Sequence, residues 1–276
     1  MRYFVYDVFT DTPFGGNQLA IVPEAGDLSE AQMQTIAREF NFSETAFVLP
    51  PEDPAHTARV RYFTPMRELP FAGHPTVGTA VMLSDLGGAN DMVLELGVGP
   101  LICQAKEGAA SFRTEHPLEI KAHPTADLVC RAIGCEIGNL RSEPVLASLG
   151  GDFVYVQLDN RDTLSKLCPN MDAMREGAAL YPGNHDFAVY PFVMDGKDAH
   201  ARMFAHLDGI PEDPATGSAA APLASLMCQS LGRDIALTVH QGTDMGRPSR
   251  IELLADANGV TVAGQAVKVM EGTLLL

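Results

Sequence analysis

Basic residues are scarce in this chain of 276 residues, where 19 lysines and arginines stand against 35 aspartates and glutamates. The resulting formal net charge is −16 at pH 7. A protein that binds nucleic acid or an anionic membrane surface needs an excess of positive charge on the face that makes the contact. The composition therefore excludes nucleic acid as a partner.

Cysteines with metal-ligand or disulfide spacing are also missing. The five cysteines are scattered, odd in number and free of any Cys-x-x-Cys pair, which disfavours both a disulfide framework and a zinc ribbon. Glycine-rich phosphate loops, the His-Glu-x-x-His zinc motif and the Gly-x-Ser-x-Gly hydrolase motif are absent as well. We therefore expect a cytoplasmic protein with reduced thiols that works without a cofactor or a metal.

No segment has the composition of a signal peptide or a membrane span. The N-terminal run MRYFVYDVF contains Asp7 among apolar residues and lacks a small-residue cleavage site, so it predicts a strand. Residues 214–232 carry no charge, but their Gly, Ser, Thr and Gln residues and the internal Pro222 make them too weakly hydrophobic to cross a membrane. We expect no membrane association.

Short apolar or alternating runs recur along the chain and predict about a dozen strands. These runs cover residues 2–9, 18–23, 44–49, 57–64, 92–96, 101–106, 153–158, 187–193, 200–204, 235–240, 250–255 and 266–275. Helical signals are fewer. Ser29 is a candidate cap for an amphipathic helix that ends near Phe40, and weaker periodic segments lie near 126–133 and 171–180.

Two further segments, residues 69–84 and 214–232, contain no charged side chain. A helix that is apolar or small on every face must be enclosed on every side. In a strand-rich protein, a sheet that curls around the helix is the natural enclosure. Two such segments therefore predict two lobes, each with a buried central helix.

An internal repeat supports the same division. Residues 61–80 read RYFTPMRELPFAGHPTVGTA and residues 202–219 read RMFAHLDGIPEDPATGSA, with Pro75 and Pro214 at matching positions 139 residues apart. We predict an α+β fold with two pseudo-symmetric lobes, each a curved sheet or barrel around its helix.

The predicted first lobe covers residues 1–120, with its central helix near 74–86. The C-terminal strand is a candidate to complete the sheet of this lobe. The predicted second lobe covers residues 121–276, with its central helix near 214–231.

The starts of the two buried helices are the first candidate sites. A proline is favoured at the first helical position, so Pro75 and Pro214 predict that His74 and Asp213 are the N-caps. Backbone N–H groups at such a helix start bind anions, and this makes Thr216, Gly217 and Ser218 candidate ligands for a carboxylate. The alternative is a purely structural role, in which Asp213 only caps its helix and His74 is a satisfied core residue.

Glu44 and Asn17 are two further candidates. Glu44 lies in NFSETAFVLP, at the entry to a strongly apolar strand. Partial burial there would raise the pKa of its carboxyl group towards neutrality, as proton transfer to and from carbon requires, whereas an exposed strand end would leave it inert. Asn17 follows a Gly-Gly turn, where its amide either contacts a ligand or stabilises the turn.

At these residues the sequence resembles the PhzF-like phenazine-biosynthesis isomerases, within the diaminopimelate epimerase-like superfold. The matching segments are FGGNQLAIV, SETAFV, RYFTPMRELPFAGHPTVGTA and EDPATGSA, in the order and spacing of that family. The resemblance implies two lobes that each wrap a central helix, an active site between them, and a homodimer.

The resemblance also implies residue roles. Glu44 corresponds to the catalytic acid/base, and His74 and Asp213 to polar residues that orient the substrate and assist protonation. The groups that hold the substrate carboxylate correspond to Gly73, Gly217 and Ser218. Asn17 lies in the Gly-Asn motif of the family, and Gln18 stands where the family commonly has proline, so the resemblance does not fix the shape of that loop or the fit of the substrate.

The sequence therefore predicts an isomerase that needs no cofactor and moves a proton between carbons of a small cyclic or unsaturated carboxylate. The family reaction, isomerisation of trans-2,3-dihydro-3-hydroxyanthranilate, supplies the first candidate substrate. One alternative is a non-catalytic or regulatory protein that binds a small carboxylate on the same fold. Another is an amino-acid epimerase or racemase, which is disfavoured because neither helix start contains the cysteine that such enzymes use.

Overall fold

The computed structural model describes residues 1–276, which divide into two compact units. The first unit comprises Met1–Arg113 and Thr261–Leu276, and the second comprises Thr114–Val260. The boundary lies seven residues before the predicted one, and the last residues of the chain return to the first unit.

The chain contains sixteen strands and six α-helices. The strands are β1 (Arg2–Val8), β2 (Asn17–Val22), β3 (Glu44–Leu49), β4 (Ala58–Phe63), β5 (Glu68–Leu69), β6 (Asp91–Leu96), β7 (Gly99–Lys106), β8 (Ala109–Thr114), β9 (Glu119–Ala122), β10 (Val145–Ser148), β11 (Asp152–Gln157), β12 (Val189–Asp195), β13 (Asp198–Ala201), β14 (Ile235–Gln241), β15 (Ser249–Asp256) and β16 (Gly259–Thr273). The helices are α1 (Glu30–Phe40), α2 (Gly73–Asp85), α3 (Ala126–Ile133), α4 (Arg161–Ser165), α5 (Met171–Leu180) and α6 (Gly217–Leu231).

A closed barrel of eight strands forms the first unit. The strand order is β1-β2-β3-β4-β6-β7-β8-β16, and antiparallel pairing of β1 with β16 closes it. Closure explains why the C-terminal residues belong to this unit, because the barrel would otherwise have two open edges. Helix α2 contacts β1, β2, β3 and β7, and its residues Gly73–Met82 are all buried. The prediction of an enclosed helix is confirmed here.

The sheet of the second unit has helices on both faces. Its strands follow the order β15-β14-β13-β12-β11-β10-β9. On β11, Val154 and Val156 join the core that contains α3 and α5, whereas the hydroxyl of Tyr155 donates to the carbonyl of Ala219 in α6. Because successive side chains of a strand point to opposite faces, α6 covers the face away from α3 and α5.

The two units repeat the same pattern of strand pairing. The pairs β1–β2, β2–β3, β3–β4, β4–β6 and β6–β7 are antiparallel, parallel, antiparallel, parallel and antiparallel in turn. The series from β10–β11 to β14–β15 has the same order of orientations.

Side-chain contacts repeat as well. Arg61 lies over the ring of Phe63 in the first unit, and Arg202 lies over the ring of Phe204 in the second. The internal repeat predicted from the sequence is therefore confirmed.

Each of the twelve predicted strand segments overlaps an observed strand, and the helices near 126–133 and 171–180 have the predicted bounds. Four strands and one short helix were not predicted, namely β5, β8, β9, β10 and α4. These elements are short or rich in small and charged residues, so their apolar pattern is weak.

The predicted helix starts are wrong by a few residues. Helix α2 begins at Gly73 with Ala72 as its N-cap, so His74 and Pro75 lie within the first turn. Helix α6 begins at Gly217 with Thr216 as its N-cap, so Asp213 and Pro214 precede the helix. A proline fits any of the first helical positions, because the N–H groups there have no partner within the helix.

The fit of α2 in its barrel gives a testable prediction. A Cβ atom on Gly78 would lie 2.6 Å from Cδ2 of Leu19 and 2.7 Å from Cγ2 of Val8, both fully buried. We expect Gly78→Ala to lower the free energy of unfolding in urea by about 1–2 kcal/mol, because overpacking outweighs the better helix propensity of alanine. Gly138→Ala is the control, since a Cβ there meets nothing within 4 Å. Equal stability of both variants would contradict the tight enclosure.

Candidate active site

Glu44 and His74 meet at one end of the first unit. Glu44 is the first residue of β3, where it pairs in register with Leu19 of the parallel strand β2. His74 is the second residue of α2 and is buried. Oε2 of Glu44 lies 3.3 Å from Nδ1 of His74, and the Glu44 side chain is 14% exposed. The carboxyl group is therefore accessible to a small molecule but largely enclosed by protein.

Asn17 joins this pair. Asn17 is the first residue of β2. Because β2 and β3 are parallel, Asn17 and Glu44 lie at the same end of these two strands. Nδ2 of Asn17 lies 3.5 Å from Nδ1 of His74, and Oδ1 accepts a hydrogen bond from the hydroxyl of Ser43 at 3.1 Å. Ser43 was not predicted, although it directly precedes Glu44 in the SETAFV motif.

Burial keeps the imidazole of His74 neutral. Desolvation lowers the pKa of His74 from 6.5 to about 3, and a hydrogen bond with the backbone of Gln18 opposes this shift only in part. At neutral pH the ring can therefore form a hydrogen bond with Asn17 or with Glu44, and it carries no positive charge.

The starts of α2 and α6 differ from the other helix starts of the chain. The N-cap side chains of α1, α3, α4 and α5 each accept a hydrogen bond from the first turn. The N-caps of α2 and α6 make no such bond, although both helix starts are buried. Uncapped N–H groups at the positive end of a helix dipole attract an anion.

A network of hydrogen bonds fixes the segment before α6. The buried carboxyl of Asp213 accepts a hydrogen bond from Oγ1 of Thr216 at 2.5 Å. Gln241, at the end of β14, donates to the carbonyl of Asp213 at 2.7 Å and to Oγ1 of Thr216 at 2.9 Å. These bonds hold residues 213–216 in a turn, which explains why α6 starts at Gly217 and not at Pro214.

Two other polar residues support this turn. The hydroxyl of Tyr190 donates to Oε1 of Gln241 at 3.0 Å, and the hydroxyl of Ser249 donates to the carbonyl of Pro214 at 2.8 Å. Sequence reasoning missed Gln241, Tyr190 and Ser249, because nothing in their local pattern shows which distant backbone groups they contact. The only signal is that Gln241 is a polar residue at the end of a strand.

The structure thus groups the predicted residues by unit. Asn17, Glu44, Gly73 and His74 lie together in the first, with Gly73 as the first residue of α2. Asp213, Thr216, Gly217 and Ser218 lie in the second, where Gly217 is buried and Ser218 is half-buried.

Cysteine is absent from both helix starts, and the five thiols lie elsewhere in the fold. No group of three or more His, Cys, Asp or Glu side chains is placed to hold a metal ion. No helix combines the length and the apolar character needed to cross a membrane.

The whole chain is similar to proteins of one known family. The family model of phenazine biosynthesis-like proteins, PhzC-PhzF, matches residues 6–272. An uncharacterized isomerase of Mesorhizobium japonicum is 38% identical, over 100% of this chain and 99% of the relative. The trans-2,3-dihydro-3-hydroxyanthranilate isomerase of Pseudomonas aeruginosa is 35% identical with the same coverage.

Solved structures agree with this relationship. The phenazine biosynthesis protein of the PhzF family from Bacillus anthracis superimposes with a TM-score of 0.87 and 28% identity, over 100% of this chain and 99% of that one. A probable proline racemase from Agrobacterium radiobacter shares the fold, with a TM-score of 0.61 at 11% identity over 100% of this chain and 93% of that one. The fold is thus that of the epimerase-like superfold, as predicted. The chain belongs to the PhzC-PhzF family of phenazine biosynthesis-like proteins and is an isomerase.

Proposed function

We propose that this isomerase works without a cofactor and moves a proton between two carbons of a small cyclic or unsaturated carboxylate, with Glu44 as the acid/base. The observation that carries the proposal is the contact of Glu44 with the neutral His74 at the uncapped start of a buried helix. A carboxyl group, a neutral hydrogen-bonding ring and an anion site are the parts that such a reaction needs.

Glu44 takes the proton from an activated C–H group of the substrate and returns it to another carbon of the same molecule. A base that moves one proton within one substrate must remain close to both carbons and must be shielded from water. The largely buried side chain of Glu44 meets the second requirement. His74 restricts the orientations open to the carboxyl group, because it lies 3.3 Å from it and is itself buried next to Asn17.

Backbone N–H groups at a helix start can hold a substrate carboxylate. In the first unit Gly73 at the start of α2 takes this role in the proposal, and in the second unit Thr216, Gly217 and Ser218 offer the same groups at the start of α6. Stabilisation of charge by fixed backbone dipoles needs no lysine or arginine. Asp213 orients and polarises the substrate in this proposal, and Thr216 and Gln241 hold it in place.

The first candidate substrate is trans-2,3-dihydro-3-hydroxyanthranilate, after the named activity of the Pseudomonas aeruginosa relative. It is a cyclic, unsaturated amino acid. Its carboxylate suits the N–H groups of a helix start, and its activated C–H group suits the carboxyl group of Glu44. The homodimer remains a prediction that rests on the family resemblance, and the cytoplasmic location remains one that rests on the scattered, unpaired cysteines.

The role of Glu44 is tested by proton NMR of this compound in deuterated buffer. We expect the protein to convert it with transfer or exchange of the ring proton, and Glu44→Gln to lower the turnover about 10³-fold, because the amide cannot accept the proton. Binding of the substrate should persist in the variant.

Glu39→Gln is the matched control, since Glu39 is an exposed residue of α1. Turnover by Glu44→Gln at the wild-type rate would refute the role of Glu44. Binding without turnover by the wild-type protein would exclude this compound as the substrate of the isomerase.

The neutrality of His74 predicts how stability depends on pH. The unfolded chain binds a proton at this histidine below about pH 6.5, whereas the folded protein does so only near pH 3. The unfolded state therefore binds more protons between these values, and the stability falls as the pH is lowered from 6.5 towards 3.

His74→Gln removes this titration. We expect the difference between the free energies of unfolding of the wild type and the variant, measured in urea, to shrink by a few kcal/mol from pH 6.5 to pH 4. Parallel pH profiles for the two proteins would show that His74 is not held neutral.

The turn before α6 gives a prediction for Thr216. Thr216→Val keeps the side-chain shape but removes the hydroxyl that bonds Asp213 and Gln241. We expect kcat/KM to fall about 10-fold to 100-fold and the stability to drop by about 1–3 kcal/mol, because two buried polar groups lose a partner. Thr216→Ser retains the hydroxyl and should keep most of the activity. If both variants behave alike, the hydroxyl does not position Asp213.

A further inference from the structure

Two of the five cysteines, Cys130 and Cys135, lie in direct contact in the second unit. Both are free thiols, and Sγ of Cys135 is 3.2 Å from Sγ of Cys130. The two sulfur atoms need to approach by only about 1 Å to reach the length of a disulfide bond. The proposed reaction of Glu44 does not use this pair, so its proximity calls for a separate explanation.

The C-terminal end of α3 brings the two thiols together. Gly134 ends the helix in the left-handed conformation, with a φ angle of 76°. The N–H groups of Gly134 and Cys135 both donate to the carbonyl of Cys130, at 2.8 Å and 3.1 Å. At a helix end of this kind, the residue after the glycine commonly packs against the residue that supplies the carbonyl. Because both of these residues are cysteines here, the packing contact is a contact between two thiols.

The backbone around this helix end is held in place. A Cβ atom on Gly134 would lie 2.6 Å from the carbonyl oxygen of Cys168, and the N–H of Cys168 donates to the carbonyl of Ile133 at 3.0 Å. The fold has thus already removed most of the chain freedom that a bond between the two thiols would remove. Two groups held in contact in this way react with each other far more readily than free groups in solution.

Burial limits which oxidant can reach the pair. Cys130 is buried, whereas Cys135 is half-buried and is the thiol that a small molecule can approach. Desolvation raises the pKa of Cys130 above its ordinary value and that of Cys135 to about 12. The carboxylates of Asp127 and Asp159 disfavour the two thiolates further. The site is therefore suited to a small, uncharged oxidant and reacts slowly at neutral pH.

We propose that Cys130 and Cys135 form an oxidation site, at which hydrogen peroxide converts the two thiols into a reversible disulfide at the end of α3. The thiolate of Cys135 attacks one oxygen of the peroxide, so that a sulfur–oxygen bond forms, the oxygen–oxygen bond breaks and hydroxide leaves. Sγ of Cys130 then attacks Sγ of Cys135. The sulfur–sulfur bond forms, the sulfur–oxygen bond breaks, and the oxygen leaves as water with the proton of Cys130.

The electrons and atoms of this reaction balance. The two thiols together lose two electrons and two protons, and one molecule of peroxide is reduced to two molecules of water. A dithiol reductant reverses the reaction by thiol–disulfide exchange. The inference does not depend on the reaction proposed for Glu44.

Peptide mass spectrometry of the full-length protein tests the proposal. Arg131 lies between the two cysteines, so trypsin places them on two peptides that stay together only through a disulfide. The folded protein, carrying Cys168→Ser to remove the exposed thiol, is treated with hydrogen peroxide and then alkylated. We expect one cross-linked species, lighter than the sum of the two peptides by two hydrogen atoms. Dithiothreitol should return both peptides to the free thiol form.

Cys228→Ser is the matched control in the same background, because Cys228 is a buried thiol of α6. The cross-link should form in this variant as in the parent, and Cys135→Ser should abolish it. Conversion of Cys135 to the sulfinic or sulfonic acid without a cross-link would overturn the proposal, because Cys130 would then not reach the oxidised sulfur. A cross-link that joins Cys135 to any other cysteine would overturn it as well.

The rate of cross-linking gives a second readout. The thiolate is the attacking group, and the pKa of Cys135 is raised to about 12. We therefore expect the rate to rise about tenfold per pH unit between pH 7 and pH 9. A rate independent of pH would show that the thiolate of Cys135 is not the group that attacks the peroxide.

Hydrogen exchange shows whether the disulfide forms within the native fold. The N–H of Cys135 depends on its bond to the carbonyl of Cys130, and a cross-link between these residues restrains its opening. We expect exchange at the Cys135 amide to slow about tenfold on oxidation, with exchange in α5 unchanged. Faster exchange throughout α3 and α5 on oxidation would overturn the proposal, because the disulfide would then require an opened fold.

Discussion

The enclosure of α2 by a closed barrel is the constraint on which the chemistry of the first unit depends. An enclosed helix buries its own first turn, so the N–H groups there cannot rely on water. The same burial removes water from His74 and keeps its ring neutral. Glu44 then faces a ring that accepts or donates hydrogen bonds and carries no charge. The packing that stabilises the barrel thus also sets the electrostatics of the site.

The internal repeat gives both units the same order of strand pairing, but the side chains at the two helix starts differ. At the start of α2 the polar partners are Asn17, Glu44 and His74, whereas the start of α6 is preceded by Asp213 and held by Gln241. The strand pairing that carries these residues is the same in both units. A duplicated fold can therefore present two uncapped helix starts and still place the pair of Glu44 and His74 at only one of them.

The sequence predicts the large features because they depend on local pattern. Segments without charge must be enclosed, and that rule alone finds both buried helices. Alternating runs find the longer strands, and the repeat finds the division into units. The exact helix starts were wrong because they depend on contacts between distant residues. Gln241 holds Asp213 and Thr216 from 25 or more positions away, and no local pattern reveals that bond.

The same distinction applies to the candidate site. Glu44, His74 and Asn17 could be selected from motifs, and the structure places the carboxyl group of Glu44 at 3.3 Å and the amide of Asn17 at 3.5 Å from Nδ1 of His74. Ser43, Gln241 and Tyr190 could not be selected in this way, because each of them acts through a hydrogen bond to a residue that is distant in the sequence.

The negative charge of the whole chain explains why the helix starts matter. A net charge of −16 repels a carboxylate at long range, and the repulsion is screened within about 8 Å at physiological ionic strength. Attraction must therefore come from groups that the ligand touches. Backbone N–H groups at an uncapped helix start attract an anion only when it is in contact with them. Burial strengthens this attraction, because water cannot compete for the hydrogen bonds. An acidic protein can thus bind a small carboxylate without a basic patch, provided that the carboxylate reaches such a helix start.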